Sequence, residues 1–168
     1  REFLNALKIL DDGHISAENM NGSWAGAMGQ VQFMPSSFQS YAVDYDGDGR
    51  IDIWNNVGDS LASAANYLAR SGWKGNQGWG QEIQLPKGFN KKLINSRIRK
   101  SLSEWQRMGV SGKGFPQNPN LQASIVQPDR EGGRTFLTYP NYRVILKWNR
   151  SNFFAVAVGT LADRIGAP

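Results

Sequence analysis

The chain has 168 residues, 40% of them hydrophobic and 20% charged, which is close to globular averages and excludes wholesale disorder and a fibrous chain. It has no cysteine, which rules out a disulfide scaffold, a thiolate metal site and a cysteine nucleophile; the single His14 makes a multi-histidine metal site hard to build, and no apolar run approaches the ~18 residues that a membrane span requires. Nineteen Lys and Arg against fourteen Asp and Glu leave a net charge of +5, so nucleic acid, phospholipid and acidic glycan are all plausible anionic partners.

The chain opens at Arg1, without Met and without a signal-peptide pattern, as a processed or trimmed chain does. Phe3, Leu4, Leu7 and Leu10 recur at helical spacing until Asp11, Asp12 and Gly13 stop them, so the first residues already lie in a helix. Residues 21–32 form a tight, glycine-rich loop, and Pro35 starts a short helix running to about Val43. After an acidic loop at 44–55, Asp59 reads as a cap or first-turn acid for a helix ending before Gly72, with Leu61, Ala64, Ala65 and Leu68 on one face. Alternation over Gln81–Leu85 predicts a strand, and Ser101 with Glu104 makes a capping box for a short helix closed by Gly109. Strands are expected at 121–126 and 134–139, flanking a hairpin-like turn at 129–133. Residues 142–148 are ambiguous between strand and helix because Val144, Ile145 and Leu146 are contiguous. Ser151 caps a last helix with Phe154, Ala157, Val158, Leu161 and Ile165 on one face.

The sharpest motif is the acidic loop. Asp44, Asp46 and Asp48 stand at positions one, three and five of an EF-hand-like loop, with Gly49 at six for the sharp turn. Arg50 at position seven would contribute its backbone carbonyl, Asp52 at nine would ligate directly or through water, and Asn55 stands at twelve, where a high-affinity site has a bidentate Glu. The pattern predicts a structural Ca2+ of moderate affinity. A second feature is the uncharged run Gly22-Ser23-Trp24-Ala25-Gly26-Ala27-Met28-Gly29-Gln30-Val31-Gln32, whose amides suit a neutral polyol; a close-packed helix contact is the rival reading.

That run, the acidic loop, Ala64-Ala65-Asn66-Tyr67-Leu68 and Lys147-Trp148-Asn149-Arg150-Ser151 occur together in order and spacing that strongly resemble the membrane-bound lytic transglycosylase B family of peptidoglycan-cleaving enzymes, from about Phe3 to Ile165. The resemblance implies an α+β, mainly helical fold: a lysozyme-like core, a small strand-containing subdomain at about 81–139 and the calcium loop at 44–55, together the later part of a catalytic domain. It implies cleavage of the MurNAc-GlcNAc bond of murein to 1,6-anhydro-MurNAc ends, in the periplasm of a Gram-negative bacterium, by a protein that is soluble or lipid-anchored to the outer membrane. Peptidoglycan glycan strands are then the partner, and nucleic acid is not. By the resemblance, Ser23 and Gln32 match residues that line the glycan groove, Tyr67 matches an aromatic near the catalytic centre, and Asn149 matches a substrate-contacting asparagine. Where family members usually have tyrosines flanking that asparagine, this chain has Trp148 and Phe154; the indole still stacks on a sugar, whereas the phenyl lacks a hydroxyl.

The family's reaction needs one glutamic acid, in a Glu-x-x-aromatic-Gly motif ahead of the glycine-rich run. None of Glu2, Glu18, Glu82, Glu104 and Glu131 has that context, so the expected acid lies N-terminal to Arg1 and the chain alone is expected to be inactive. Two other readings stay open: a non-catalytic, calcium-stabilised peptidoglycan-binding module, and a nucleic-acid binder using the basic run Lys87, Lys91, Lys92, Arg97, Arg99 and Lys100.

Overall fold

A computed structural model describes residues 1–129 and 132–166, so the turn expected at 129–133 lies partly outside the described residues. The chain divides into two compact units, Arg1–Ser71 and Gly72–Pro168. The fold is α+β and mainly helical.

The first unit holds α1 (Glu2–Asp11), α2 (Pro35–Tyr41) and α3 (Val57–Arg70). Pro35 occupies the first turn of α2, where its missing N–H leaves no bond unmade. Asn56 caps α3, its side chain accepting the Asp59 N–H at 3.2 Å, which leaves Asp59 in the first turn rather than at the cap. The buried face of α3 differs from the apolar stripe expected of it: Leu61 is 66% exposed and Ala65 is exposed, while Asp59, Ser60 and Ser63 are buried. What packs on this helix is irregular backbone, and backbone needs partners more than methyl groups. Ser63 Oγ accepts from Val43 N at 2.9 Å, Ser60 Oγ donates to the Ile53 carbonyl at 3.0 Å, and Asp59 accepts from Tyr45 N and Asp52 N at 2.8 Å each.

The second unit holds β1 (Gly80–Ile83), a 3-10 turn (Lys91–Leu93), β2 (Lys100–Ser101), α4 (Leu102–Arg107), β3 (Gln122–Val126), β4 (Thr135–Thr138), α5 (Pro140–Trp148) and α6 (Asn152–Gly166). The strands form an antiparallel sheet in the order β1-β4-β3-β2. Both faces are covered, so β3 and β4 carry near-continuous buried residues. Ala123, Ile125 and Leu137 pack on one side with Leu102 and Trp105 of α4; Val126 and Phe136 pack on the other with Trp79, Tyr142, Ile145, Ala155 and Val156. The capping box at Ser101 and Glu104 forms as expected.

The ambiguous stretch at 142–148 is helical, opened by Pro140 in its first turn. On α6 the expected face is again the wrong one: Leu161 and Ile165 are exposed, and Ala155, Val156 and Gly159 are buried. Here the partner is the broad Trp79 indole, and only small side chains let a helix backbone come down on it. Asn141 is fully buried; its side chain accepts from Lys74 N at 2.9 Å and donates to the carbonyls of Lys74 (2.9 Å) and Gln77 (2.6 Å), pinning the segment before β1. Asn141→Leu keeps the volume and strands these backbone groups, so its urea midpoint should report a loss of about 2–4 kcal/mol; a wild-type midpoint would remove this role for Asn141.

Candidate functional site

The glycine-rich and acidic segments, separate in sequence, are joined in the first unit. Ser23 closes a small loop on Ala27, its N–H donating to the Ala27 carbonyl at 2.8 Å and its Oγ accepting from Ala27 N at 3.1 Å. Gln30 then donates twice to the acidic segment, N–H to the Ile53 carbonyl at 2.8 Å and Nε2 to the Trp54 carbonyl at 3.1 Å, while Trp54 Nε1 returns a bond to the Asn21 carbonyl at 2.9 Å. Gly29 makes this approach possible: its φ is +64°, and a Cβ there would lie 2.5 Å from the Ile53 oxygen. His14 Nδ1 adds a further tie, accepting from Ile51 N at 3.1 Å.

Ser23 and Gln32 are both exposed on the glycine-rich loop. Gln32 holds φ at +52°, left-handed for a non-glycine residue, with Nε2 on the Gly29 carbonyl at 2.9 Å. Ser23 lines a cleft of about 420 Å³ with Glu2, Phe3, Met20, Met28 and Met34. Tyr67 is half-buried, edge-on to Tyr41 at 4.8 Å and tilted against Phe33 at 5.7 Å, and burial raises its phenol above the ordinary value. In the second unit Trp148 ends α5 half-buried, Asn149 caps that helix from an exposed position and accepts from Ser151 N at 3.0 Å, and Phe154 packs half-buried on the Trp79 cluster.

In the acidic loop three carboxylates converge: Asp44, Asp46 and Asp59 bring oxygens within 4.8 Å of one another. Asp48 and Asp52 stand outside this cluster. Asp48 accepts from Arg50 N at 2.8 Å, and Asp52 accepts from the backbone of Trp54 and Asn55. Asn55 turns its amide onto Asp52 at 3.1 Å. Asp59 is the residue that position counting misses, because the loop runs on past Asn55 into the first turn of α3. A buried carboxylate beside two others is the signal, and only the folded chain reveals it. The Gly49 N–H, and after it the Gly47 N–H, hold the Asp44 carboxyl below the usual aspartate range against some desolvation. Clustered hard oxygens with mutual repulsion to relieve fit a dication such as Ca2+.

The four glutamates that are described show no general-acid setting. Glu2 accepts from Ser36 N at 2.8 Å, which lowers its pKa, and Glu104 is lowered by the Ser101 hydroxyl and N–H of its capping box. Glu18 and Glu82 are exposed, and Glu131 lies outside the described residues.

Residues 1–163 match the model of the transglycosylase SLT domain family. The chain is 39% identical over 156 residues to the membrane-bound lytic murein transglycosylase B of Escherichia coli strain K12, covering 88% of this chain and 40% of that protein. Crystal structures of SltB3 from Pseudomonas aeruginosa, in complex with NAG-anhNAM-pentapeptide and with NAG-NAM-pentapeptide, superpose with TM-score 0.93 at 50% identity, over 99% of this chain and 45% and 46% of those chains. The Escherichia coli lytic transglycosylase Slt35 in complex with calcium superposes with TM-score 0.81 at 32% identity, over 95% of this chain and 50% of that one. The chain therefore spans about half, or less, of the length of each of these relatives.

Proposed function

The chain belongs to the transglycosylase SLT domain family, a family of peptidoglycan-cleaving lytic transglycosylases, and from that premise we propose that it forms the saccharide-binding, calcium-bearing part of an enzyme that breaks the MurNAc-GlcNAc bond without water. In that reaction a glutamic acid protonates the glycosidic oxygen as the C1–O bond breaks. The resulting carboxylate takes the proton of the same sugar's C6 hydroxyl as O6 attacks C1, and a 1,6-anhydro ring closes. The intramolecular hydroxyl replaces the second carboxylate of an ordinary glycosidase.

The observation that carries this reading is 50% identity over 99% of the chain to a protein crystallised with muropeptides. In the first unit Ser23 and Gln32, on the glycine-rich loop, and Tyr67, on α3, would be the glycan contacts; in the second unit, taken by itself, they would be Asn149 and the Trp148 and Phe154 rings. Asp44, Asp46 and Asp59, with Asp48, the Arg50 carbonyl, Asp52 and Asn55 as the remaining candidates, would hold Ca2+, which would supply positive charge that locks the loop. The general acid would come from a glutamate outside these residues, since Glu2 and Glu104 are already engaged as hydrogen-bond acceptors. The setting would be the periplasm; no helix among the described residues is long and apolar enough to cross a membrane.

Mass spectrometry of murein digests tests this. The full-length parent should release muropeptides ending in 1,6-anhydro-MurNAc, and the 168-residue chain should release none. Reducing MurNAc ends from the parent would replace transglycosylation by hydrolysis, and anhydro products from the pure chain would place the acid within it. If neither releases muropeptides while both retain murein, the alternative of a non-catalytic, calcium-stabilised binding module stands.

A further inference from the structure

The sheet of the second unit brings two arginines to one place. Lys100 pairs with Ala123 and Ser101 with Gln122, so Arg99, the residue just before β2, enters the sheet at the end of β2 that lies toward Ser124 of β3. Ser124 is only 1% exposed, and its Oγ accepts from Arg143 Nη2 at 2.8 Å, so the Arg143 side chain crosses from α5 to the same point. Burial first, and the charge of Arg99 second, lower the Arg143 pKa from the ordinary arginine value, which agrees with that proximity. Among the described residues no carboxylate is within ion-pair distance of either guanidinium. Lys100 is excluded from the pair, because it turns to the other face with Nζ 6.0 Å over the Trp105 ring.

Two like charges that feel one another, one of them tethered and half-buried, repel, and an anion between them relieves the repulsion. A carboxylate is the matching group, since each guanidinium offers a planar fork of donors. We propose that Arg99 and Arg143 form a carboxylate clamp for the acidic peptide stems carried by peptidoglycan. The proposal rests on the saccharide reading above and adds to it: the sugar contacts would recognise glycan, and the clamp would recognise the stem.

Sedimentation of the 168-residue chain with two materials separates the contributions: intact murein sacculi, and glycan strands stripped of peptides by an amidase. The wild type should bind intact sacculi more tightly than stripped glycan, with the difference shrinking at high salt. Arg99→Glu offers a carboxylate to Arg143 from across the strand pair, so affinity for intact sacculi should fall about tenfold. Its binding to stripped glycan should be unchanged, and its melting temperature equal to or above that of the wild type, because a charge that repels Arg143 is gone. Arg143→Lys, which keeps the charge and loses the fork, should weaken sacculus binding by a smaller factor.

Equal wild-type affinity for the two materials, or wild-type behaviour of Arg99→Glu on intact sacculi, would overturn the clamp. Tighter binding of duplex DNA than of sacculi, lost in the same variant, would overturn it in favour of phosphate. Binding to intact sacculi alone, lost in Arg99→Glu, would support the clamp while removing the glycan contacts of the preceding proposal.

Discussion

Asp59→Asn is expected to lower the melting temperature of the metal-free chain and to abolish any rise on adding calcium, whereas Asn55→Ala should keep that rise. The first effect follows from the hydrogen bonds that the buried Asp59 accepts. Both Asp59 oxygens accept backbone N–H groups, from Tyr45 and Asp52, at 2.8 Å each. An asparagine can accept only one of these bonds and must face the other donor with its own NH2, in a site fully closed to water. Leaving one buried N–H unpaired costs about 1–3 kcal/mol, or roughly 2–12 °C at the slope of about 2–4 °C per kcal/mol for a chain of this length. The second effect comes from the cluster that Asp59 makes with Asp44 and Asp46. Calcium at a hundred times its Kd would stabilise the wild type by about 2.7 kcal/mol. Asn55 spends its amide on Asp52, so its loss should matter far less. A calcium response that survives in Asp59→Asn and vanishes in Asn55→Ala would restore the twelve-position loop and remove Asp59 from the ligand set.

Gly159→Ala should destabilise the chain by about 2–4 kcal/mol in urea denaturation, the opposite of what helix propensity alone gives. In an exposed helix the change stabilises by up to about 1 kcal/mol. At Gly159 a Cβ would stand 2.3 Å from Trp79 Cδ2 and 2.4 Å from Cε2, distances that no real methyl group tolerates. Trp79 cannot easily retreat, because its ring is packed against Phe136 and Tyr142, while its Nε1 bond to Asp163 at 2.8 Å ties it to α6 itself. The helix must lift instead, loosening Ala155 and Val156 with it. A midpoint at or above that of the wild type would show that the α6 contact with Trp79 is not the tight one described.

These two positions also mark where reading the sequence succeeds and where it stops. The Ser101 capping box, Pro35 in the first turn of α2 and the strands at 122–126 and 135–138 were legible because each depends on residues a few places apart. The inward faces of α3 and α6 were not. Periodicity assumes that a helix seeks an apolar core, but α3 serves the unpaired backbone of the acidic loop, and α6 meets an indole from a distant segment. The transglycosylase family was legible from ordered motifs; the glycan roles of the residues from Ser23 to Phe154 are proposals carried by that resemblance. Asp59 was not, since its place beside Asp44 depends on how far the loop continues before the helix begins. The bond from Arg143 to Ser124 was equally hidden, because only the packing of α5 on the sheet brings those two residues together.

The ties from Gln30 to Ile53 and Trp54 have one further implication. Under the proposed function, a saccharide would be held by one loop and a metal ion by the other, and the two loops are tied by hydrogen bonds that a shift of either would strain. Binding of each would then act as an effector of the other, and reciprocity requires the two effects to be equal: any factor by which calcium tightens the hold on glycan is the factor by which glycan tightens the hold on calcium.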